Sequence, residues 1–111
     1  MFGSNAGRGG GAKQSAVAQN TFAAAGTASV TPTLPGGAVG KPYRMRVSGS
    51  VAGYATMNIG TQAQVVCLVN PNAPFTEQPI PASAFPSAVG SVPVSLTASG
   101  AGVISVAIDF A

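Results

Sequence analysis

Across residues 41–70 apolar and polar side chains alternate with a period of two, the mark of strands with one buried and one solvated face. Tyr43, Met45, Val47, Gly49 and Val51 fall on one side of the first segment, and Arg44, Arg46, Ser48 and Ser50 on the other. Ala52-Gly53, and residues 58–61 with Gly60 free to take positive φ, divide the run into three strands. The second covers residues 54–59 and the third residues 61–70. In the third, Ala63, Val65, Cys67 and Val69 share a face, while Val66 and Leu68 make the opposite face apolar too. That pattern predicts a strand in the middle of a sandwich.

The same period predicts strands on both flanks. Residues 27–34 alternate Thr27, Ser29, Thr31 and Thr33 with Ala28, Val30, Pro32 and Leu34, and Pro32 has no N–H to give, so this strand belongs at an edge. Val92, Val94, Leu96 and Ala98 alternate with Pro93, Ser95, Thr97 and Ser99. A tight turn at Gly100-Ala101-Gly102 then leads into a strand with Ile104, Val106, Ile108 and Phe110 on one face. Six strands without a βαβ unit predict an all-β fold, a small antiparallel β-sandwich or barrel. A jelly roll needs about eight strands. The missing two would have to come as short additions from the two irregular stretches.

The first irregular stretch is the beginning of the chain. Residues 1–13 are glycine-rich, carry Arg8 and Lys13, and have almost nothing to bury. Residues 14–26 are alanine-rich, with Gly26 placed as a helix stop, and predict a short helix or an extended segment. The expected organisation is an extended Gly/Ala-rich N-terminal arm over residues 1–26 and a β-domain over 27–111. Arg8, Lys13 and Phe22 are the arm's candidate contacts with a neighbouring chain. The second stretch, residues 70–86, carries five prolines and spaces Phe75, Ile80 and Phe85 along it. These three side chains either anchor a partner or fold back as a lid over one end of the sandwich.

Composition narrows the chemistry. Charged residues make up 6% of the 111 positions, against roughly 25% in ordinary soluble domains. A surface so poor in charge suits a subunit of an assembly, or an extracellular domain with a Ser/Thr/Asn/Gln surface. The net charge of +3 arises from a scarcity of acids more than an excess of bases. Without histidine, imidazole catalysis and imidazole metal ligation are out of reach. Glu77 and Asp109 are the only carboxylates, and their spacing does not favour a paired-carboxylate site. Cys67 sits in an apolar run and reads as a small core hydrophobe. No catalytic, cofactor or metal site is expected, and the chain reads as a non-enzyme. No apolar run reaches the ~18 residues of a membrane span, and the first residues lack the pattern of a signal peptide. Synthesis in the cytoplasm is therefore expected.

Lys41, Arg44 and Arg46 form the main charge cluster. Three readings stand for it: pairing with carboxylates of a neighbouring subunit, a solvated strand face, or a grip on nucleic-acid phosphates. Aromatic residues for base stacking are thin beyond Tyr43 and Tyr54.

In length, Gly/Ala-rich start, low charge, lack of His and Trp, and Ser/Thr/Val β-domain, the whole chain resembles the small structural and decoration proteins of bacteriophage capsids. The resemblance implies a β-sandwich or small barrel docked on a major capsid protein, frequently as an oligomer, with an arm cementing subunit joints. It implies a virion location, other virion proteins as partners and no enzymatic activity. A receptor- or carbohydrate-binding module of a phage fibre or tail, and a single-stranded nucleic-acid binder, remain as alternatives.

Overall fold

The computed structural model describes residues 14–58 and 64–111. Residues 1–13, with Arg8 and Lys13, and residues 59–63, with most of the turn expected around Gly60, lie outside the described residues. The described chain forms eight strands: β1 Gln14–Phe22, β2 Gly26–Val30, β3 Pro42–Gly49, β4 Gly53–Met57, β5 Val65–Val69, β6 Thr76–Pro79, β7 Val94–Ala98 and β8 Gly102–Phe110. Short 3₁₀ turns at Pro35–Gly37 and Ala82–Ala84 interrupt the two longest connections. In the first, Gly36 and Gly37 have φ of 69° and 75°, a region open to glycine at little cost.

Two antiparallel four-stranded sheets pack face to face, in the orders β1-β8-β3-β6 and β2-β7-β4-β5. Behind these orders lies a simple rule. β1 pairs with β8, β2 with β7, β3 with β6 and β4 with β5, so the chain is one long ribbon doubled back at the β4–β5 connection. Rolling that ribbon brings β3 beside β8 and β4 beside β7, which completes the two sheets. An eight-stranded sandwich wound in this way is a jelly roll.

The core follows the alternation. From the first sheet Met45, Val47, Ile104, Val106, Ile108 and Phe110 point inward, and from the second Ala55, Met57, Cys67, Val94, Leu96 and Ala98. The ends of the sandwich are zipped by backbone bonds between long loops, such as Leu34 N–H to the Gly90 carbonyl at 2.8 Å and a reciprocal pair between Gly40 and Val89.

Four expectations change. Residues 14–22 are neither helix nor free arm: they form β1, nine residues in register with β8 from Gln14 opposite Phe110 to Phe22 opposite Gly102. Small Ala16 and Ala18 carry the inward face, a weak hydrophobic signal that alanine's helix propensity masks. The sandwich thus starts at Gln14 among the described residues, not at Thr27. Phe22 is buried in the core and is no surface contact. β6 arises inside the proline-rich stretch, where Thr76–Pro79 pairs with β3 at the sheet edge. β5 is an edge strand, not a central one, and Val66 and Leu68, alternating with inward Val65, Cys67 and Val69, face outward, 42% and 67% exposed. β2 lies at a sheet edge, but it ends at Val30, so Pro32 stands beyond the strand.

Candidate functional site

The two outer faces of the sandwich differ in kind. On the first sheet, β8 runs between β1 and β3, and its outward residue Asp109 lies opposite Ser15 on one side and Arg44 on the other. Its carboxylate accepts four hydrogen bonds. Oδ1 takes the Ser15 hydroxyl at 2.6 Å and Arg46 Nη2 at 2.8 Å, and Oδ2 takes Arg44 Nε at 2.6 Å and Arg46 Nε at 2.8 Å. Arg46 grips both oxygens as a fork, the strongest geometry for this pair. Four bonds fill the acceptor capacity of a carboxylate. The side chains that make them leave Asp109 only 3% exposed, although it points away from the core.

Burial pushes the Asp109 carboxyl up, but the hydrogen bonds from Arg46, Ser15 and Arg44 outweigh it and bring the group down to about 2. Hydrogen bonding to Asp109 raises both arginines above their already high range. A second carboxylate, Glu77 on β6, stands 3.7 Å from Arg44 Nη1 with both side chains substantially exposed. That contact is worth little on its own. The row from Ser15 through Asp109 and the arginines to Glu77 nonetheless spans all four strands. Arg44 also lies over the Tyr43 ring, and Arg46 over the Phe75 ring, at 5.6 and 5.8 Å.

This arrangement corrects the reading of the arginine strand. The carboxylate that Arg44 and Arg46 engage is Asp109 of the same chain, because β3 and β8 are neighbours. Two cations held by two anions leave little net charge to attract a phosphate backbone. The cluster clasps β1, β8 and β3 together, and Asp109 has no spare lone pair for acid–base work. Lys41 is exposed at the start of β3, where its backbone bonds reciprocally with Ala111. Of the three loop side chains, Ile80 is buried, Phe85 packs against the core and Phe75 alone stands 47% exposed. The lid reading fits the first two.

The second sheet offers the opposite surface. Its four strands contain no charged residue. Cross-strand partners order its outward side chains into two rows, Thr27, Thr97, Tyr54, Leu68 and Ser29, Ser95, Thr56, Val66. Hydroxyls occupy most of both rows, with Thr27 and Thr97 sharing a hydrogen bond at 3.0 Å. At the β4–β5 side the rows turn apolar, with Tyr54 41% exposed beside Leu68 and Val66. Near the other end of β7 a shallow hollow of about 120 Å³ is lined by Ser29, Thr56, Asn58, Pro93, Val94 and Ser95. The sequence reading missed this face because each strand taken alone shows only its own alternation.

Cys67 is buried beneath this sheet, near the Thr76 hydroxyl at 3.5 Å, and burial raises its thiol above the ordinary range. The Thr76 hydroxyl also donates to the Leu68 carbonyl, closing part of the β5 edge. Native protein should therefore react with a thiol reagent such as DTNB far more slowly than urea-unfolded protein, by at least ~10²-fold. Equal rates would place Cys67 at an accessible edge. Among the described residues no group of three His, Cys, Asp or Glu side chains converges to hold a metal ion. No helix among the described residues is long and apolar enough to cross a membrane. No family model, curated protein or solved structure matches this chain.

Proposed function

We propose that this protein is a non-enzymatic structural component of a virion, a capsid decoration, cement or minor capsid protein that stabilises the shell through many small contacts with neighbouring subunits. One observation carries the reading: the chain forms a jelly roll with a whole outer sheet face free of charge. Jelly rolls serve as capsid and lectin domains, and as cupins. The cupin alternative loses its usual metal ligands, since the chain has no histidine. Fold alone does not assign function, so support for one of the other two is sought in the surface. Interface cores are depleted of charge, which matches the second sheet. The first sheet keeps its charges tied to one another, so little is left to repel a neighbour.

The mechanism is mass action. A subunit that binds the assembled shell and not its separated parts stabilises the shell in proportion to RT ln(1 + [L]/Kd), and contacts at several points raise effective affinity. A glycan-binding reading has the hydroxyl-lined hollow in its favour, but that hollow has no aromatic side chain on which a sugar ring would stack. Mixing purified protein with empty shells from the same source tests the proposal. Cosedimentation with shells and a raised shell melting temperature are expected. A protein that ignores shells and binds a glycan array would overturn it.

A further inference from the structure

We infer that residues 70–80 form a flap that opens as a unit while the two sheets stay folded, and that it gates both the chain's one thiol and the side of β3 that β6 covers. The inference goes beyond the shell reading and does not rest on it.

The segment buries almost nothing of its own. Across residues 70–79 no side chain is buried, and the first that is, Ile80, is 4% exposed. β6 lies at a sheet edge and pairs with β3 over four residues, from Thr76 opposite Val47 to Pro79 opposite Arg44. Proline has no N–H to give to that ladder. Segments with few buried apolar side chains and short ladders are the ones that open locally at least cost.

Its fastenings are few and separate. At one end the turn after β5 is closed by the Asn72 N–H on the Asn70 side-chain oxygen at 3.0 Å and by the Ala73 N–H on the Asn70 carbonyl at 3.1 Å, which makes this end the hinge. At the other end the Ile80 N–H donates to the Tyr43 carbonyl at 2.9 Å and the Ile80 side chain enters the core, which makes it the latch. Between them stand the exposed Arg44–Glu77 contact, Arg46 over the Phe75 ring, and the Thr76 hydroxyl on the Leu68 carbonyl. An exposed ion pair adds little to the hold.

What the flap covers exceeds what it buries. The Thr76 hydroxyl lies 3.5 Å from Cys67 Sγ, and Cys67 is 1% exposed while Thr76 is only half-buried. Lifting β6 takes Thr76 from the thiol, parts Arg44 from Glu77 and Arg46 from Phe75, and leaves the backbone of residues 44–47 as an unpaired edge. Met45 and Val47 keep their pairing with Ile108 and Val106 of β8, so the sandwich stays closed elsewhere. An open strand edge accepts an extended segment, and the shut flap withholds it.

Thiol labelling reads the opening, because Cys67 must be uncovered to react. Full-length protein is mixed with excess DTNB at rising urea below the unfolding transition, as the parent and as Ile80→Ala and Phe22→Ala. The first variant removes the latch, and the second makes a comparable hole in the core on β1, at the opposite edge of the first sheet. Labelling rates are expected to be nearly independent of urea, at least about tenfold faster in Ile80→Ala, and within about twofold of the parent in Phe22→Ala, since opening the flap bares little surface. Should either variant fail to fold, Ile80→Val and Phe22→Leu carry the same comparison. Hydrogen exchange should show residues 74–80 opening with the thiol while β5 stays protected. Rates that climb with urea along the full slope of global unfolding, that match the unfolded chain, or that both variants raise alike overturn the inference. So does an Ile80 variant that labels no faster than the parent, or β5 exchanging together with the thiol.

Discussion

Gly53→Ala will strongly destabilise the fold. Gly53 opens β4, between Ala98 of β7 and Val69 of β5, and a methyl group there would lie 2.0 Å from the Thr97 carbonyl oxygen and 3.0 Å from Ile104 Cδ1. The nearer atom is backbone in a strand held on both sides, so it cannot rotate away as a side-chain tip would. Relief requires β4 and β7 to part, at the cost of ladder hydrogen bonds and of core contacts around Ile104. We expect a loss of about 3 kcal/mol or more, a large part of the ~5–15 kcal/mol that holds a domain of this size together. Gly37→Ala makes the comparison sharp. Nothing lies within 4 Å of its added carbon, and only the φ of 75° resists, so about 1 kcal/mol is expected. Urea midpoints of the two variants beside the parent decide the matter; equal midpoints would mean that β4 and β7 are not packed as described.

Asp109→Asn is the second large effect, and it carries a pH signature. The carboxyl sits at about 2 in the folded chain and near 3.8 when free. A group with a depressed folded pKa lends stability that is fully present above the unfolded value and disappears as pH falls through the folded one. The parent should therefore lose about 2 kcal/mol between pH 4 and pH 2 through this group. The amide variant lacks that contribution throughout and leaves two arginines without their main partner. Because both arginines retain some access to water, a loss of about 2–4 kcal/mol at pH 7 is expected, short of the upper end for buried pairs. In a domain of about 100 residues this lowers the melting temperature by about 10–20 °C. Its unfolding curve should also be flatter from pH 4 to pH 2 than that of the parent. Glu77→Gln, at an exposed 3.7 Å contact, should stay within about 0.5 kcal/mol. A parent whose stability does not change across that acid range would show the Asp109 clasp to be ornamental.

The alternation in residues 43–49, 92–98 and 103–110 was enough to place Met45, Leu96, Ile104 and Phe110 in a core, because large side chains at every second position leave one solution. Where the inward residues are small the pattern fades, and Ala16 and Ala18 hid β1 within an alanine-rich run. Proline density hid β6, a four-residue edge strand that tolerates Pro79 at its end because an edge leaves one side of the ladder unpaired. Val66 and Leu68 misled for a different reason. Apolar residues on both sides of a strand signal burial on both sides, but Val66 and Leu68 stand exposed on the outer face of the second sheet. The Asp109 clasp lay beyond reach as well. Arg44 and Arg46 are more than sixty positions from their partner, and only the pairing of β3 with β8 brings them together. Given that pairing, the outward positions of all three residues would have announced it.

The doubled ribbon also sets the order in which the protein can form during synthesis. β1 has no partner until β8 exists, and β2 none until β7, so the first strands made are the last to be covered. Only β4 and β5 meet a partner close by in the chain. A nascent chain therefore leaves the ribosome with its early strands open and must close around its own midpoint afterwards, a slow route dominated by distant contacts. During that interval the uncharged strands of the second sheet are as available to a neighbouring nascent chain as to their own partners. Crowded synthesis thus favours tangling between copies, and expression at low temperature or with chaperones should favour separate, correctly wound ones.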